Sequence, residues 1–371
     1  MTDKKQVSAP ELSVGADKGQ TPCINKEIIA TNEPGVNDEI GPERPKTSLK
    51  VFTLDEALDS YFEPKEPVIE NFLNQGTYIL AGASKIGKSF LVAEIAYHVA
   101  TGSDLWNPSY RTHQGRVLYL ALEDDIQRIQ SRFSRMFGEE GSEHLSFATA
   151  SRTVDEGLVL QLVDYLNVFP DTKLIIIDTL QKIRGLSNET ISYSRDYDVI
   201  TQLKNLTDTH DLCILIVHHT RKQDADDCFE KISGTNGLMG SADGAIIMTR
   251  KRGTTEARLQ ITGRDQQEQI INLDQDQGTL QWKFRDSETS ICKEPPDPDI
   301  DAICGMLQEK KEWMGTASEL IEDAGLSGIA PNALTRKLNS RTSELWNDRK
   351  IRYTCRRSGS CRGIYLELAE E

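Results

Sequence analysis

The sequence contains few aromatic residues, few cysteines and no long apolar run. Aromatic residues make up 6% of the chain, and the seven cysteines are dispersed at no metal-ligand spacing, so we expect free thiols in a reducing compartment. No apolar run approaches the ~20 residues of a membrane span. The polar start, Met1 to Gln6, lacks the apolar segment of a secretory signal. These absences predict a cytoplasmic protein with no membrane partner.

Basic residues are outnumbered by acidic ones. Lysine and arginine total 43 against 58 aspartates and glutamates, a net charge of −15, which argues against a chain that coats nucleic acid indiscriminately. The 371 residues, 37% of them hydrophobic, suffice for one large domain and a small one. Five prolines lie among polar residues in the first fifty positions, so residues 1–50 are predicted to be a disordered lead-in.

The strongest motif has the spacing Gly-x4-Gly-Lys-Ser. It follows the apolar run Thr77 to Ala81 and precedes apolar residues at helical spacing, a context that argues against a chance loop. Small residues let backbone amides close around a triphosphate, and the helix N-terminus adds positive potential. Lys88 is predicted to reach the β- and γ-phosphates of ATP, and Ser89 to ligate Mg²⁺. The predicted nucleotide-binding loop consists of Gly82, Ala83, Ser84, Lys85, Ile86, Gly87, Lys88 and Ser89.

Short apolar runs alternate with segments of helical periodicity along the first two thirds of the chain. This alternation predicts right-handed βαβ crossovers and a mainly parallel sheet, with ligands at the carboxyl ends of the strands. After residue 237 the pattern changes to short strands separated by turns, which predicts an antiparallel meander in the same domain. The predicted parallel strands are Thr77 to Ala81, Arg116 to Ala121, Leu145 to Ala150, Lys173 to Thr179 and Leu212 to Val217.

Polar side chains stand where three of these strands end. Asp178 follows four aliphatic residues and is predicted to join the Mg²⁺ shell, the alternative being a cap for the following turn. Glu123 is the preferred group to orient the attacking water, with Asp124 and Asp125 as competitors for that role. His218 and His219 close a further strand, and we favour His219 as a sensor of the γ-phosphate over a satisfied core histidine.

The tail differs from the rest of the chain in charge. From Pro331 to Gly363 nine basic residues face two acidic ones, a net charge of +7, which is an electrostatic footprint for phosphate backbones. Helices are predicted over Ile300 to Leu307, Thr316 to Ala324 and Pro331 to Trp346, followed by a β-hairpin. This pattern predicts a winged-helix-like DNA-binding domain. A solvated basic surface and a protein-docking module are the alternatives.

Together these motifs resemble the RepA-like branch of the RecA/DnaB-type hexameric P-loop ATPases, common on mobile elements, over about residues 67 to 285. The resemblance implies a RecA-like core, a ring that is hexameric in the family, ATP between subunits, Glu123 as base and His219 as sensor. It also implies an arginine supplied in trans, for which Arg264 is the first choice and Arg250 the second. One departure concerns Arg221 to Ser233, which should line the pore but carries a net charge of −1.

The resulting architecture is α/β. We predict a disordered segment 1–50, an ATPase domain 51–290, a linker 291–299 and a winged-helix-like domain 300–371. The main hypothesis is an ATP-driven DNA helicase or translocase in replication of a plasmid, phage or other mobile element. A second is a DNA-bound ATPase switch, such as a loader, initiator or recombination ATPase, without unwinding. A third is a DNA-binding regulator with an idle nucleotide site.

Overall fold

A computed structural model describes residues 49–185, 193–220, 240–264, 266, 268–289, 297–358 and 361–369. Residues Leu54–Glu371 form one compact unit, and of the other unit, Met1–Thr53, residues 49–53 are described. Three predictions concern residues outside these ranges: almost all of the lead-in 1–50, most of the linker 291–299, and the whole segment Arg221 to Ser233. None of the helices in the described residues is long and apolar enough to cross a membrane.

The centre of the ATPase part is a nine-stranded sheet with the strand order β3-β2-β4-β5-β1-β6-β7-β8-β9. Strands β1 to β6 pair in parallel, and β6 to β9 form an antiparallel meander. The predicted mainly parallel sheet with an antiparallel meander is therefore confirmed. The strands are β1 Gly76–Gly82, β2 Arg116–Ala121, β3 Leu145–Ala148, β4 Thr172–Asp178, β5 Cys213–His219, β6 Gly244–Arg250, β7 Glu256–Gly263, β8 Gln269–Gln275 and β9 Trp282–Thr289.

Helices cover both faces of the parallel strands, which explains why those strands are apolar on both sides. The helices of this part are α1 Leu54–Asp59, α2 Lys88–Thr101, α3 Ile126–Phe137, α4 Leu158–Val168, α5 Leu180–Ile183 and α6 Tyr193–His210. In β1, Tyr78 and Leu80 pack into a core with α2, while Ile79 and Ala81 point into a second core with α4 and α6. All seven residues of β1 are buried.

The sheet order brings the functional strand ends to one edge. Gly82 at the end of β1 pairs with His219 at the end of β5. Ala121 at the end of β2 pairs with Asp178 at the end of β4. Because β5 lies between β1 and β4, the loop after β1 faces the ends of three other strands across a single edge.

The C-terminal part has its own core around Leu334, Leu338 and Tyr353, and its own sheet of order β10-β12-β11. Strand β10 was not predicted, because four residues are too few to show an alternating pattern. The predicted helix Pro331 to Trp346 is instead two helices, since the backbone at Arg341 has φ −112° and ψ 20°. The elements are α7 Pro298–Lys310, β10 Glu312–Gly315, α8 Ala317–Asp323, α9 Pro331–Ser340, α10 Thr342–Asn347, β11 Ile351–Ser358 and β12 Cys361–Leu368.

The segment that precedes the ATPase strands packs on the C-terminal part. The Tyr61 ring contacts the Tyr353 ring edge-on at 5.5 Å, and the Tyr61 hydroxyl donates to the Tyr353 carbonyl at 2.8 Å. The Asn339 side chain donates to the Leu58 carbonyl at 3.2 Å. Sequence separations of 292 and 281 residues concealed these contacts, because no local pattern marks such a pair.

Candidate nucleotide-binding site

The loop between β1 and α2 has the backbone geometry of a phosphate cradle. Gly87, which caps α2, has φ +105°, and a Cβ there would lie 2.6 Å from the Trp282 ring. A Cβ on Gly82 would lie 2.5 Å from the Met248 carbonyl oxygen. Both glycines are therefore required, one for its left-handed backbone and both for the space a side chain would fill. Lys85 also has positive φ, at 65°.

Lys88 points back into this loop. Its ammonium donates to the carbonyls of Gly82 and Ala83, both at 2.8 Å, and lies 3.1 Å from His219 Nδ1. Lys88 is only 4% exposed, and this burial lowers its pKa to about 8 against the opposing effect of Asp178 and Glu123. The carbonyl contacts keep the ammonium at the centre of the loop, where phosphate oxygens would meet it.

Ser89 and Asp178 form the pair expected of a magnesium site. The Ser89 hydroxyl donates to Asp178 Oδ2 at 3.0 Å, and the Tyr119 hydroxyl donates to the same oxygen at 3.2 Å. Burial raises the pKa of Asp178, while these two hydrogen bonds oppose the shift. One carboxylate and one hydroxyl fit Mg²⁺, which takes few protein ligands and completes its shell with phosphate oxygens and water. Tyr119 was not singled out from the sequence.

Glu123 lies beside this pair. The Thr179 hydroxyl donates to Glu123 Oε1 at 3.2 Å, and Glu123 Oε2 is 3.7 Å from His219 Nε2. The two competing carboxylates are engaged elsewhere. Asp124 pairs with Arg132 at 2.6 Å, and Asp125 accepts the Arg128 amide at 2.8 Å as the N-cap of α3. These contacts favour the choice of Glu123 as the water-orienting base, which stays a prediction.

His219 touches both halves of the site. Its Nδ1 faces the Lys88 ammonium and, at 3.5 Å, the Ser84 hydroxyl, while its Nε2 faces Glu123. A group that touches both the phosphate-loop lysine and the carboxylate is well placed to respond to the γ-phosphate, as the sensor prediction requires. His218 is half-buried on the same strand end.

The two candidate arginines lie near opposite ends of strand β6. Arg250 ends β6 beside the nucleotide loop, where it donates to the Ile86 carbonyl at 3.4 Å and to Gln275 Oε1 at 2.6 Å. Its guanidinium lies 5.3 Å from the Trp282 ring centre. Arg264 follows β7, whose end pairs with the start of β6, and donates to the Gly240 carbonyl at 2.8 Å. Arg264 is therefore not brought to the nucleotide loop of its own chain.

The residues that pack against the nucleotide loop from the meander were not predicted from the sequence. The Trp282 ring lies under Gly87. The backbone amide of Trp282 donates at 2.8 Å to Oε2 of Glu94, a buried residue on α2. With Arg250 and Gln275, these residues tie the antiparallel meander to the loop. Glu94 could have been singled out, because it is a glutamate among the apolar residues of a predicted helix. Trp282 could not, because its position depends on the order of the strands in the sheet.

The carboxyl group of Glu94 makes stability depend on pH. Burial raises the pKa of Glu94 to about 8, although the amide of Trp282 opposes the shift. A carboxyl with a raised pKa in the folded state keeps its proton while the unfolded state has lost it. Its contribution to stability therefore falls by up to about 1.4 kcal/mol per pH unit between roughly pH 4.5 and pH 8. Above that window the contribution is constant.

We expect Glu94→Gln to flatten this dependence, because the amide oxygen still accepts from Trp282 but cannot ionise. Thermal unfolding from pH 5.5 to 8.5 should show a smaller loss of Tm in Glu94→Gln than in the unmodified protein. Glu139→Gln, at an exposed position, is the matched control and should retain the original slope. Parallel curves for all three proteins would contradict the assignment.

The sheet order and the loop geometry define the class. A P-loop leads from β1 into a helix, and the carboxylate at the end of β4 is separated from β1 by the single strand β5. This is the RecA-like arrangement of P-loop NTPases, here extended by the antiparallel meander. Residues 43–225 match the family model described as AAA domain. The nucleotide-binding part of the chain is therefore similar to this AAA domain family, in line with the P-loop ATPase resemblance predicted from the motifs.

Two solved structures are among those whose fold is similar to that of the chain. The first, described as an ATPase domain, is 12% identical, with a TM-score of 0.47 over 57% of this chain and 85% of its own. The second is "The Structure Of A DnaB-Like Replicative Helicase And Its Interactions With Primase", with 12% identity and a TM-score of 0.47 over 56% of this chain. The chain spans 58% of that second structure. Among curated proteins there is no match.

Proposed function

We propose that this protein is an ATP-hydrolysing DNA helicase or translocase of the RepA-like type, acting in replication of a plasmid, phage or other mobile element. The observation that carries the proposal is the meeting of Lys88, the Ser89–Asp178 pair and Glu123 at one edge of the sheet. Phosphoryl transfer to water needs a phosphate cradle, a metal, a water-orienting group and positive charge at the transition state. The first three have candidates within one chain.

Each residue then has one task. The amides from Gly82 to Gly87 and the Lys88 ammonium bind the phosphates of ATP, and Ser89 with Asp178 holds Mg²⁺. When bound there, Mg²⁺ would supply neutralisation of phosphate charge. Glu123 accepts a proton from the attacking water, and Thr179 fixes the orientation of its carboxylate through the 3.2 Å hydrogen bond. His219 responds to the presence of the γ-phosphate through Nδ1.

The fourth requirement, a positive charge that stabilises the transition state, supports an oligomer. Arg250 is held by Gln275 and the loop carbonyl of Ile86, whereas Arg264 lies at the edge opposite the nucleotide loop. An arginine so placed cannot serve its own chain's site and suits the site of a neighbouring copy. We therefore propose a ring, a hexamer by family resemblance, with ATP between subunits and Arg264 acting in trans. A cytoplasmic location belongs to the same proposal.

DNA is the proposed partner of this ring. Single-stranded DNA would pass through the ring, and nucleotide turnover would drive movement along that strand. The C-terminal part, with its helices and terminal hairpin, would contact duplex DNA in the manner of a winged helix. The basic content of residues 331–363 supports the duplex contact.

The test of this function combines ATP turnover with strand displacement. We expect single-stranded DNA to raise the rate of ATP hydrolysis severalfold and the purified protein to displace a strand from a forked duplex in the presence of Mg²⁺ and ATP. Lys88→Ala should abolish both, because the phosphates lose their buried positive charge. Full strand displacement by Lys88→Ala would overturn the proposal.

A second function is favoured by one feature of the sequence. The segment Arg221 to Ser233 has a net charge of −1, which does not suit a pore that tracks a phosphate backbone. A DNA-bound ATPase switch, a loader, initiator or recombination ATPase that changes assembly state on hydrolysis, needs no such segment. DNA-stimulated hydrolysis without any strand displacement would select this second function.

A further inference from the structure

Most of the charge on the basic tail is neutralised within the protein. Of the nine basic residues between Pro331 and Gly363, five form ion pairs, and the side chains of Arg357 and Arg362 lie outside the described side chains. The paired residues are Arg336, Lys337, Arg341, Arg349 and Lys350. The net charge of the sequence segment therefore overstates the positive surface that α9 and α10 present in the folded protein.

The carboxylates that neutralise the four residues other than Arg336 have three locations: Glu70, the partner of Lys350, precedes β1, and the others belong to the start of α7 and to α10. Asp297, Asp299 and Asp301 lie at the start of α7, where Ile300 and Ile303 are fully buried in the same core. They cannot leave without unfolding the C-terminal part. Glu344 belongs to α10 itself.

The carboxylates on Arg336 belong to a different element. Asp55 and Asp59 lie one turn apart on α1, and their oxygens are 2.9 Å and 2.8 Å from the Arg336 guanidinium. Helix α1 has no buried residue, and the side chain of Asp55 is 78% exposed. Among the described contacts of α1 with α9 are these ion pairs and the hydrogen bond from Asn339 to the Leu58 carbonyl, and Tyr61 anchors the chain after α1 on Tyr353. None of the buried residues of the C-terminal core lies on α1, so its displacement leaves the core around α9 intact.

Guanidinium groups bind carboxylates and phosphates through the same donors. Two carboxylates on a single arginine of α9 therefore occupy a position suited to a phosphate diester. A helix is also the element that fits the major groove of duplex DNA, which is about 12 Å wide.

We infer that the α9 surface around Arg336 is a duplex-DNA contact that α1 covers with Asp55 and Asp59. In the free protein the two carboxylates take the place of backbone phosphates. Duplex DNA binds this surface by displacing α1, so intramolecular competition weakens binding. The inference rests on the proposed function, because that function supplies DNA as the partner, and it adds the contact residue and its competitor.

The experiment removes the competing charges and keeps the chain complete. In Asp55→Asn/Asp59→Asn, we expect the affinity for a 20-base-pair duplex of ordinary sequence, measured by fluorescence anisotropy, to rise about tenfold near 0.1 M salt. The slope of log K against log salt should steepen by about 1, as for one additional phosphate contact. The variant should fold, since ion pairs at the surface contribute little to stability. Circular dichroism and thermal unfolding verify this.

Two further proteins make the result specific. Glu139→Gln/Glu140→Gln removes the same two negative charges from an exposed position on the ATPase part and should leave the affinity within about twofold of the unmodified protein. Adding Arg336→Gln to Asp55→Asn/Asp59→Asn should reverse the tenfold gain, because the released group is then absent.

Equal affinities in the α1 variant and its charge-matched control would overturn the inference, as would a gain that survives Arg336→Gln. The rate of ATP hydrolysis is measured on the same preparations. Normal hydrolysis without the gain in affinity refutes the α9 contact alone, whereas absence of hydrolysis in the unmodified protein refutes the proposed function.

Discussion

Replacement of Glu123 by glutamine is expected to lower kcat for ATP hydrolysis by roughly 10²–10⁴-fold, the range that a positioned general base contributes. The amide has the same shape as the carboxylate and can still accept a hydrogen bond from Thr179, so the surrounding site should be preserved. It cannot accept a proton from water. ATP affinity should change little, since Glu123 is not part of the phosphate cradle.

The measurement pairs steady-state hydrolysis with binding of a fluorescent ATP analogue. Asp125→Asn is the matched control, because Asp125 is also a carboxylate after β2 but caps α3 through the Arg128 amide. We expect that variant to lose less than tenfold in kcat. A near-normal rate in Glu123→Gln, together with a collapse in Asp124→Asn or Asp125→Asn, would transfer the base to one of its neighbours.

The second large effect concerns Arg264. If it completes the site of a neighbouring subunit, Arg264→Ala should lower kcat by about 10³–10⁵-fold, the range known for arginines that stabilise the transferring phosphoryl group. The fold should persist, since the Arg264 side chain makes one described hydrogen bond, to the Gly240 carbonyl. ATP binding should be retained because the nucleotide loop is untouched.

Mixing separates a trans arginine from an internal one. Arg264→Ala and Lys88→Ala are each expected to be inactive, yet in the proposed ring a mixture of the two would contain interfaces with an intact loop on one side and an intact arginine on the other. We expect partial recovery of hydrolysis on mixing. Arg250→Ala, the comparison variant, removes the contacts to Ile86 and Gln275 and should raise KM for ATP more than it lowers kcat. An unchanged rate in Arg264→Ala with loss of turnover in Arg250→Ala would reverse the two assignments.

Local patterns predicted the elements around the nucleotide loop closely. Strand β2 has the predicted limits, Arg116–Ala121, because it combines a clear apolar run with a distinct boundary. Asp178 and Glu123 could be placed near one another because parallel strands present their carboxyl ends at a common edge. Strand β10 and the break at Arg341 were not foreseen, since four residues and one polar junction leave no periodic signal.

The sequence alone therefore determined the chemistry of the site: the Gly-x4-Gly-Lys-Ser loop, the carboxylates at strand ends and the alternation that makes a parallel sheet. Each of these depends on residues close together in the chain or on a general rule of strand direction. The tertiary structure decided which partners those residues have. It placed Trp282 under the nucleotide loop, tied Arg250 to its own chain and set the α1 carboxylates on Arg336, because such pairs depend on strand order and on packing between segments far apart in the chain.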